Sequence, residues 1–315
     1  MAGGKRDESF VLKIAALYYM GGLTQEQIAR RFGLSRPTVV RVLREARERK
    51  LVEIRLTKEL PDATRIETEL ENRFKETRLK EVVVSENIGD NPVSAKDSVG
   101  KSTARYLSRT LQKKHIFGIG WSTTLMSAVQ HVDTHQTVPS RIVQLGGIVS
   151  SANGAGTYEL ANYLGAKLGA QVEHMPAPVM LASKQVRDTL LVDPIIQNTL
   201  RFVEKCTVGL VGIGVVGGKS ALLKAGYLTP DDMACVVKKG AVGEILGNFF
   251  DAKGAEISVP WADRKLSVEL SKLKAIDNMI IAAAGKNKKK SLLGAIRGGY
   301  LTTLVVDMDL ANALL

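Results

Sequence analysis

Between positions 9 and 50 apolar residues recur every three to four places, a period that predicts helices rather than strands. SFVLKIAALYYM (9–20) gathers Val11, Ile14, Ala15, Tyr18 and Tyr19 on one side. LTQEQIARRFG gathers Ile28, Ala29 and Phe32, and SRPTVVRVLREARERK gathers Val39, Leu43 and Ala46. The period then changes. LVEIRLTKEL (51–60) alternates apolar and polar residues as a short strand pair or wing does, and KELPD (58–62) reads as a break between a first domain of residues 1–60 and a second of 61–315. A helix over 63–76 carries Ile66, Leu70 and Phe74 on one stripe. Beyond it, near-continuous apolar runs predict strands at 81–85, 116–120, 141–147, 172–175, 208–214, 279–284 and 303–307. Helical stretches such as 93–111, 158–168 and 288–297 lie between them. The expectation is an α+β protein: an N-terminal, winged helix-turn-helix domain followed by a Rossmann-like α/β domain. Such an open sheet binds ligands outside the carboxyl ends of its strands.

Local chemistry sharpens the first block. Thr24 is a natural N-cap with Gln27 as its capping-box partner. Gly33 supplies a left-handed turn at no steric cost. Ser35 caps the next helix, and Pro37 falls in its first turn, where no amide donor is needed. The small Ala29 lets two helices cross closely, as in a helix-turn-helix. Arg36, Pro37, Val40 and Arg41 are then expected to face base edges, arginine gripping guanine and Pro37 or Val40 touching a thymine methyl. Thr24, Gln25, Ser35 and Thr38 are expected on phosphates, which fix register rather than read sequence, and Arg55 and Lys58 could join them. A plain helical hairpin with a solvated arginine face is the blander reading, but caps, turn, seam and basic face all agree.

Composition changes this picture only by naming a partner class. The 315 residues carry a formal net charge of +12, concentrated near the motif, which favours double-stranded DNA over a membrane surface. Hydrophobic residues make up 45%, enough for two packed cores. Cys206 and Cys235 read as free thiols of a reducing cytosol, and His115, His131, His135 and His174 lack metal-ligand spacing. The start, MAGGKRDESF, lacks the apolar core of a signal peptide, and no run is long enough to span a bilayer. A cytoplasmic protein without metal or cofactor is expected.

Three strand ends in the second domain carry candidate chemistry. In Gly118-Ile119-Gly120-Trp121-Ser122-Thr123-Thr124 the glycines let backbone approach an oxyanion, and hydroxyls with free amides at a helix N-terminus can bind phosphate. A serine- or threonine-capped strand-to-helix turn is the alternative. Gly146-Gly147 would leave space for a sugar. In GKNKKK, Lys288 could close over a phosphate, whereas Lys289 and Lys290 read as solvated. Gly212-Ile213-Gly214-Val215-Val216-Gly217 matches a dinucleotide fingerprint, yet the acidic residue required some twenty positions on is missing. Asp231 and Asp232 follow Thr229-Pro230, a helix start. The segment reads as a loop lining the pocket.

LTQEQIARRFGLSRPTVVRVLREARERKLVEI, together with KKGAVGEILGNFFDAKG and RGGYLTTLVVD, resembles the SorC family of sugar-responsive bacterial transcriptional regulators. The resemblance covers almost the whole chain. It implies an effector domain similar to phosphosugar isomerases and deaminases, a phosphorylated sugar as effector, a homotetramer, and loss of any catalytic role. The segment around Glu244 looks like the branch that senses phosphorylated autoinducer-2, whose pattern has aspartate at that place. Carried over by position, Trp121, Ser122, Thr123 and Thr124 form a phosphate loop with Lys288 as counter-charge. Ser122 stands where the family commonly has glycine. Gly146 and Gly147 flank the sugar, and Glu244, Phe250 and Asp251 shape the far side of the pocket.

Three functions then compete. The leading one is a regulator, a repressor by the family's usual direction, that grips a palindromic operator and is controlled by a phosphosugar. Second is a phosphosugar isomerase or deaminase with an appended basic domain, in which Glu244 or Asp251 would act as base. Third is a binder of DNA without sequence preference.

Overall fold

A computed structural model describes residues 7–54, 61–85, 92–133, 139–149 and 156–315. The chain divides into two compact units, Met1–Leu60 and Pro61–Leu315.

Three helices build the first unit: α1 (Glu8–Tyr19), α2 (Gln25–Phe32) and α3 (Arg36–Glu48). Their inward faces meet at Val11, Ile14, Ala15, Ile28, Ala29, Val39, Leu43 and Ala46, with Val42 adding to the expected seam of α3. Each junction has a local cause. The Thr24 hydroxyl accepts the Gln27 N–H at 3.2 Å, while the Gln27 side-chain oxygen Oε1 accepts the Thr24 N–H at 2.8 Å. Gly33 ends α2 at φ +62°, where a side chain would be strained. Ser35 starts α3 by accepting from the Thr38 N–H at 3.3 Å. Of the expected wing, residues 51–54 form no strand, and Arg55 and Lys58 lie outside the described residues.

The second unit opens with α4 (Asp62–Arg73), then alternates strand and helix: β1 (Glu81–Ser85), α5 (Pro92–Thr110), β2 (Ile116–Ile119), α6 (Thr123–His131), β3 (Arg141–Gln144), α7 (Thr157–Leu168) and β4 (Gln171–Glu173). Two helices, α8 (Lys184–Leu191) and α9 (Pro194–Val203), lead back to β5 (Val208–Val211). An inserted region follows: β6 (Gly214–Val215), α10 (Ala221–Lys224), α11 (Pro230–Lys238), β7 (Ala241–Ile245), β8 (Asn248–Asp251), β9 (Glu256–Ile257) and α12 (Leu270–Leu273). The chain closes with β10 (Asn278–Ala283), α13 (Lys289–Arg297), β11 (Thr303–Asp307) and α14 (Met308–Leu314).

Seven strands pair in parallel in the order β1-β11-β10-β5-β2-β3-β4. Val208 to Val211 and Thr303 to Asp307 are buried throughout, because helices cover both faces. From β2 the chain winds outward through β3 and β4, and from β5 it winds the other way through β10 and β11. The order therefore reverses between β2 and β5, so their carboxyl ends splay apart and open the crevice in which such sheets bind ligands.

The expected strand over 208–214 is in fact two. Gly212 turns the chain out of the parallel sheet, and Gly214–Val215 pairs antiparallel with β7 in a second sheet, β6-β7-β8-β9. Its central hairpin turns on Leu246 (φ +53°) and Gly247 (φ +74°), between the paired Ile245 and Asn248. Both φ values are positive, as a two-residue hairpin turn requires. Leucine is strained there, and burial holds it: Leu246 packs over Gly120, where an added Cβ would stand 2.8 Å from Leu246 Cδ2. That contact sets the second sheet over the carboxyl end of β2.

Candidate functional site

On the first unit, α3 turns Arg36, Pro37, Val40 and Arg41 to solvent, while Val39, Val42 and Leu43 are buried. Ser35 and Thr38 are joined through their hydroxyls at 2.8 Å, and Arg36 Nε donates to Gln25 Oε1 at 3.5 Å. Thr24 lies at the N-terminus of α2 with its hydroxyl occupied by the cap. Ser35, Thr24 and Gln25 thus sit at helix starts, where free amides and hydroxyls are able to meet an anion; Arg36 opens α3 beside Ser35, and Arg41 lies more than a turn further along it. This is a face able to hold DNA phosphates at its rim and reach bases from its centre.

In the second unit the reversal between β2 and β5 brings four sequence-distant segments together. After β2, Trp121 is half-buried and Ser122 caps α6, its hydroxyl accepting from the Thr124 N–H at 3.1 Å. Thr123 is exposed and Thr124 buried. After β5, Gly212 passes so close to Ser122 that an added Cβ would stand 2.5 Å from the serine Cβ. One residue on, the Ile213 carbonyl accepts from Lys288 Nζ at 2.6 Å. Ser122 and Lys288, 166 positions apart by their numbering, therefore flank one glycine loop. Burial pushes the Lys288 ammonium below the ordinary lysine range, with Glu244 opposing the shift and Lys96 adding to it.

Glu244 stands across from them on β7. It is 5% exposed, and its Oε2 accepts the Gly247 N–H at 2.8 Å. Its Oε1 lies over Gly214, where an added Cβ would be only 1.9 Å away. Loss of hydration pushes its carboxyl above the usual carboxylate range, and the Gly247 amide and the charges of Lys288 and Lys265 hold it back. A buried carboxylate beside half-buried ammonium groups offers a hydroxyl-bearing ligand an acceptor, and an anion its counter-charge.

Four expected contacts take other positions. Gly147 packs against backbone, an added Cβ meeting the Ala177 carbonyl oxygen at 2.5 Å, and a Cβ added to Gly146 would stand 3.1 Å from both Trp121 and Ser267. Their missing side chains admit protein neighbours on that side. Phe250 is fully buried on the face of β8 opposite Glu244, packed on Tyr300 with ring centroids 5.6 Å apart. Asp251 accepts from the Lys253 and Ala255 N–H groups at 2.8 and 2.9 Å and so fixes the next turn.

Sequence reasoning also missed a neighbour. Lys265 and Trp261, on the stretch between β9 and α12, line a small pocket with Trp121, Gly247 and Phe249. No motif marks them, because the approach is made by an isolated bridge of Met180 with Lys265. The dinucleotide-like Gly212–Gly217 segment leads into β6 instead of a helix, so it offers no helix N-terminus to a pyrophosphate. Thr229-Pro230 does start a helix, with a capping box to Asp232.

A model of the family described as a putative sugar-binding domain matches residues 58–315, and one of the MarR family matches residues 14–59. The chain is 29% identical to the deoxyribonucleoside regulator of Bacillus subtilis (strain 168), with 98% of each chain covered. It is 30% identical to the transcriptional regulator LsrR of Escherichia coli (strain K12) over 99% of this chain and 96% of that one. The solved structure of the full-length sorbitol operon regulator SorC from Klebsiella pneumoniae is similar with a TM-score of 0.75 and 26% identity, covering 99% of both chains. Among the described residues no helix is long and apolar enough to cross a membrane.

Proposed function

The chain belongs to the SorC family of sugar-binding transcriptional regulators, and we propose that its effector is a phosphorylated sugar whose binding releases α3 from a palindromic operator. The protein is a DNA-binding, sugar-responsive regulator. Within that frame the phosphate sits at the first turn of α6, on Ser122, Thr123 and the Thr124 region, with Lys288 as counter-charge. Glu244 takes ligand hydroxyls, and Trp121 covers the sugar. What supports this reading is the single loop Gly212–Gly214, which carries Ser122 on one side, Lys288 on the other and Glu244 above, at the point where strand order reverses.

The ligand acts by binding one arrangement of a homo-oligomer, a tetramer, better than another; without that difference it shifts nothing. The enzyme reading is weaker on geometry. An isomerase needs a carboxylate free to carry a proton, whereas Glu244 is pinned by the Gly247 amide and Asp251 by its own turn. Selection of binding sites from random DNA with the full-length protein, followed by titration with phosphosugars, tests the proposal. A selected inverted repeat released by a phosphosugar that is not consumed is expected. Turnover of the sugar, or DNA binding without sequence preference, would overturn it.

A further inference from the structure

Beyond Glu244 lies a cation that the phosphate contact does not use. Lys265 lines a pocket with Trp121, Met180, Tyr227, Phe249 and Trp261. Its Nζ donates to Asn248 Oδ1 and, among the described residues, forms no ion pair. Asn248 does not depend on it, since the asparagine amide already donates to the Val268 and Ile245 carbonyls at 2.9 and 3.0 Å and so braces the hairpin. An ammonium carries three donors, and here one is used.

Among the described residues no carboxylate meets the Lys265 ammonium directly. Glu256, Glu244 and Glu269 act on Lys265 from a distance, and Arg187 acts against them. Glu256 and Glu269 are exposed, so solvent and salt screen them. Glu244 is itself pushed towards its neutral form and is shared with Lys288. Burying an ammonium is unfavourable unless an anion meets it, and nothing structural requires a charge here: a neutral donor would serve Asn248 as well.

We propose that Lys265 is the counter-charge for a second anionic group, so that the effector is a sugar with two separated anions. Resting on the phosphosugar reading above, the phosphate occupies Lys288 and Ser122–Thr124. A carboxylate or second phosphate meets Lys265, and the sugar spans Glu244 and the face of Trp121. Burial pushes the Lys265 ammonium down to about 8, and an anion in contact restores it towards the ordinary lysine range.

The test compares ligands that differ only at the far end: fructose 6-phosphate against fructose 1,6-bisphosphate, and glucose 6-phosphate against 6-phosphogluconate. Both tryptophans of the chain, Trp121 and Trp261, line this pocket, so quenching of intrinsic fluorescence in the full-length protein reports binding directly. The doubly anionic member of one pair is expected to bind roughly tenfold more tightly or better, and which pair shows it identifies the second group. Lys265→Arg retains the preference, whereas Lys265→Met and Lys265→Gln, the latter keeping a neutral donor for Asn248, bring the ratio close to one. Equal binding within both pairs, or a preference that survives in a folded Lys265→Gln, overturns the proposal. Lys288→Met separates the two levels. If it weakens every phosphorylated ligand while the pairs bind equally, only the second anion is wrong; if it weakens none, the phosphate reading falls and this inference with it.

Discussion

Gly214→Ala tests the geometry of the cleft, because two effects of opposite sign meet there. Gly214 has an ordinary backbone conformation, so alanine by itself should stabilise by about 0.4–1 kcal/mol through the unfolded chain. Against this, the new Cβ would stand 1.9 Å from Glu244 Oε1 and 2.5 Å from its Cδ. The carboxylate must swing away and give up its 2.8 Å bond from the Gly247 amide, and a hydrogen bond to a charged group contributes about 1.5–3 kcal/mol. The cost wins, with a net loss of roughly 1–2 kcal/mol and a fall in Tm of roughly 2–8 °C for a unit of this size. In a Glu244→Ala background the obstacle is gone, and the same Gly214→Ala change should be neutral or stabilising. Tryptophan fluorescence during urea and thermal unfolding follows this unit alone, since Trp121 and Trp261 both belong to it. If Gly214→Ala costs the same in both backgrounds, Glu244 does not occupy the space above Gly214 and the cleft is misassembled.

Other consequences are smaller in scope. Lys288→Met should weaken a phosphorylated effector by about 1.5–3 kcal/mol, roughly 10- to 150-fold in Kd, and its dephosphorylated parent far less; calorimetric titration of both decides it, and equal weakening removes the phosphate assignment. Arg36→Ala and Arg41→Ala should each cost about 1–3 kcal/mol on the selected operator and relax specificity there, as read by competition with base-substituted sites. Equal loss on random DNA would show phosphate contact only. Because the folded pKa of Lys265 lies at about 8, below its ordinary 10.5, the folded unit loses that proton before the unfolded chain does. Stability should therefore rise between those two pH values, by at most about 3 kcal/mol. Denaturant titrations across that window should show a flatter rise in Lys265→Met, and an unchanged slope would mean that the lysine is solvated.

Much of this was legible because local chemistry and periodicity agreed. Thr24, Gly33, Ser35 and Pro37 each state a helix boundary, and the structure uses all four. The parallel strands stand out as apolar runs because both of their faces are buried. The second sheet was harder to read for a definite reason: its hairpin turns on Leu246-Gly247 and lacks the asparagine or aspartate that usually marks such a turn. The leucine is tolerated because its side chain is buried over Gly120, a tertiary contact that no local pattern encodes. For the same reason, glycines at 146 and 147 suggested space while the structure fills it with Trp121, Ser267 and the Ala177–Pro178 backbone. Phe250 fell on the wrong face because strand alternation separates it from Glu244. Lys265 could not have been found at all without knowing which loop crosses the end of β3.

The central claim is that occupation of the cleft and grip on DNA are one equilibrium. It is tested most directly by closing a thermodynamic cycle on the full-length protein: Kd for the selected operator with and without saturating phosphosugar, and Kd for the phosphosugar with and without saturating operator. Linkage requires the two ratios to be equal, and a coupling of about 1–3 kcal/mol makes each roughly 5- to 150-fold. Equal ratios in that range are the predicted result. A phosphosugar that binds tightly while both ratios stay at one would contradict the account.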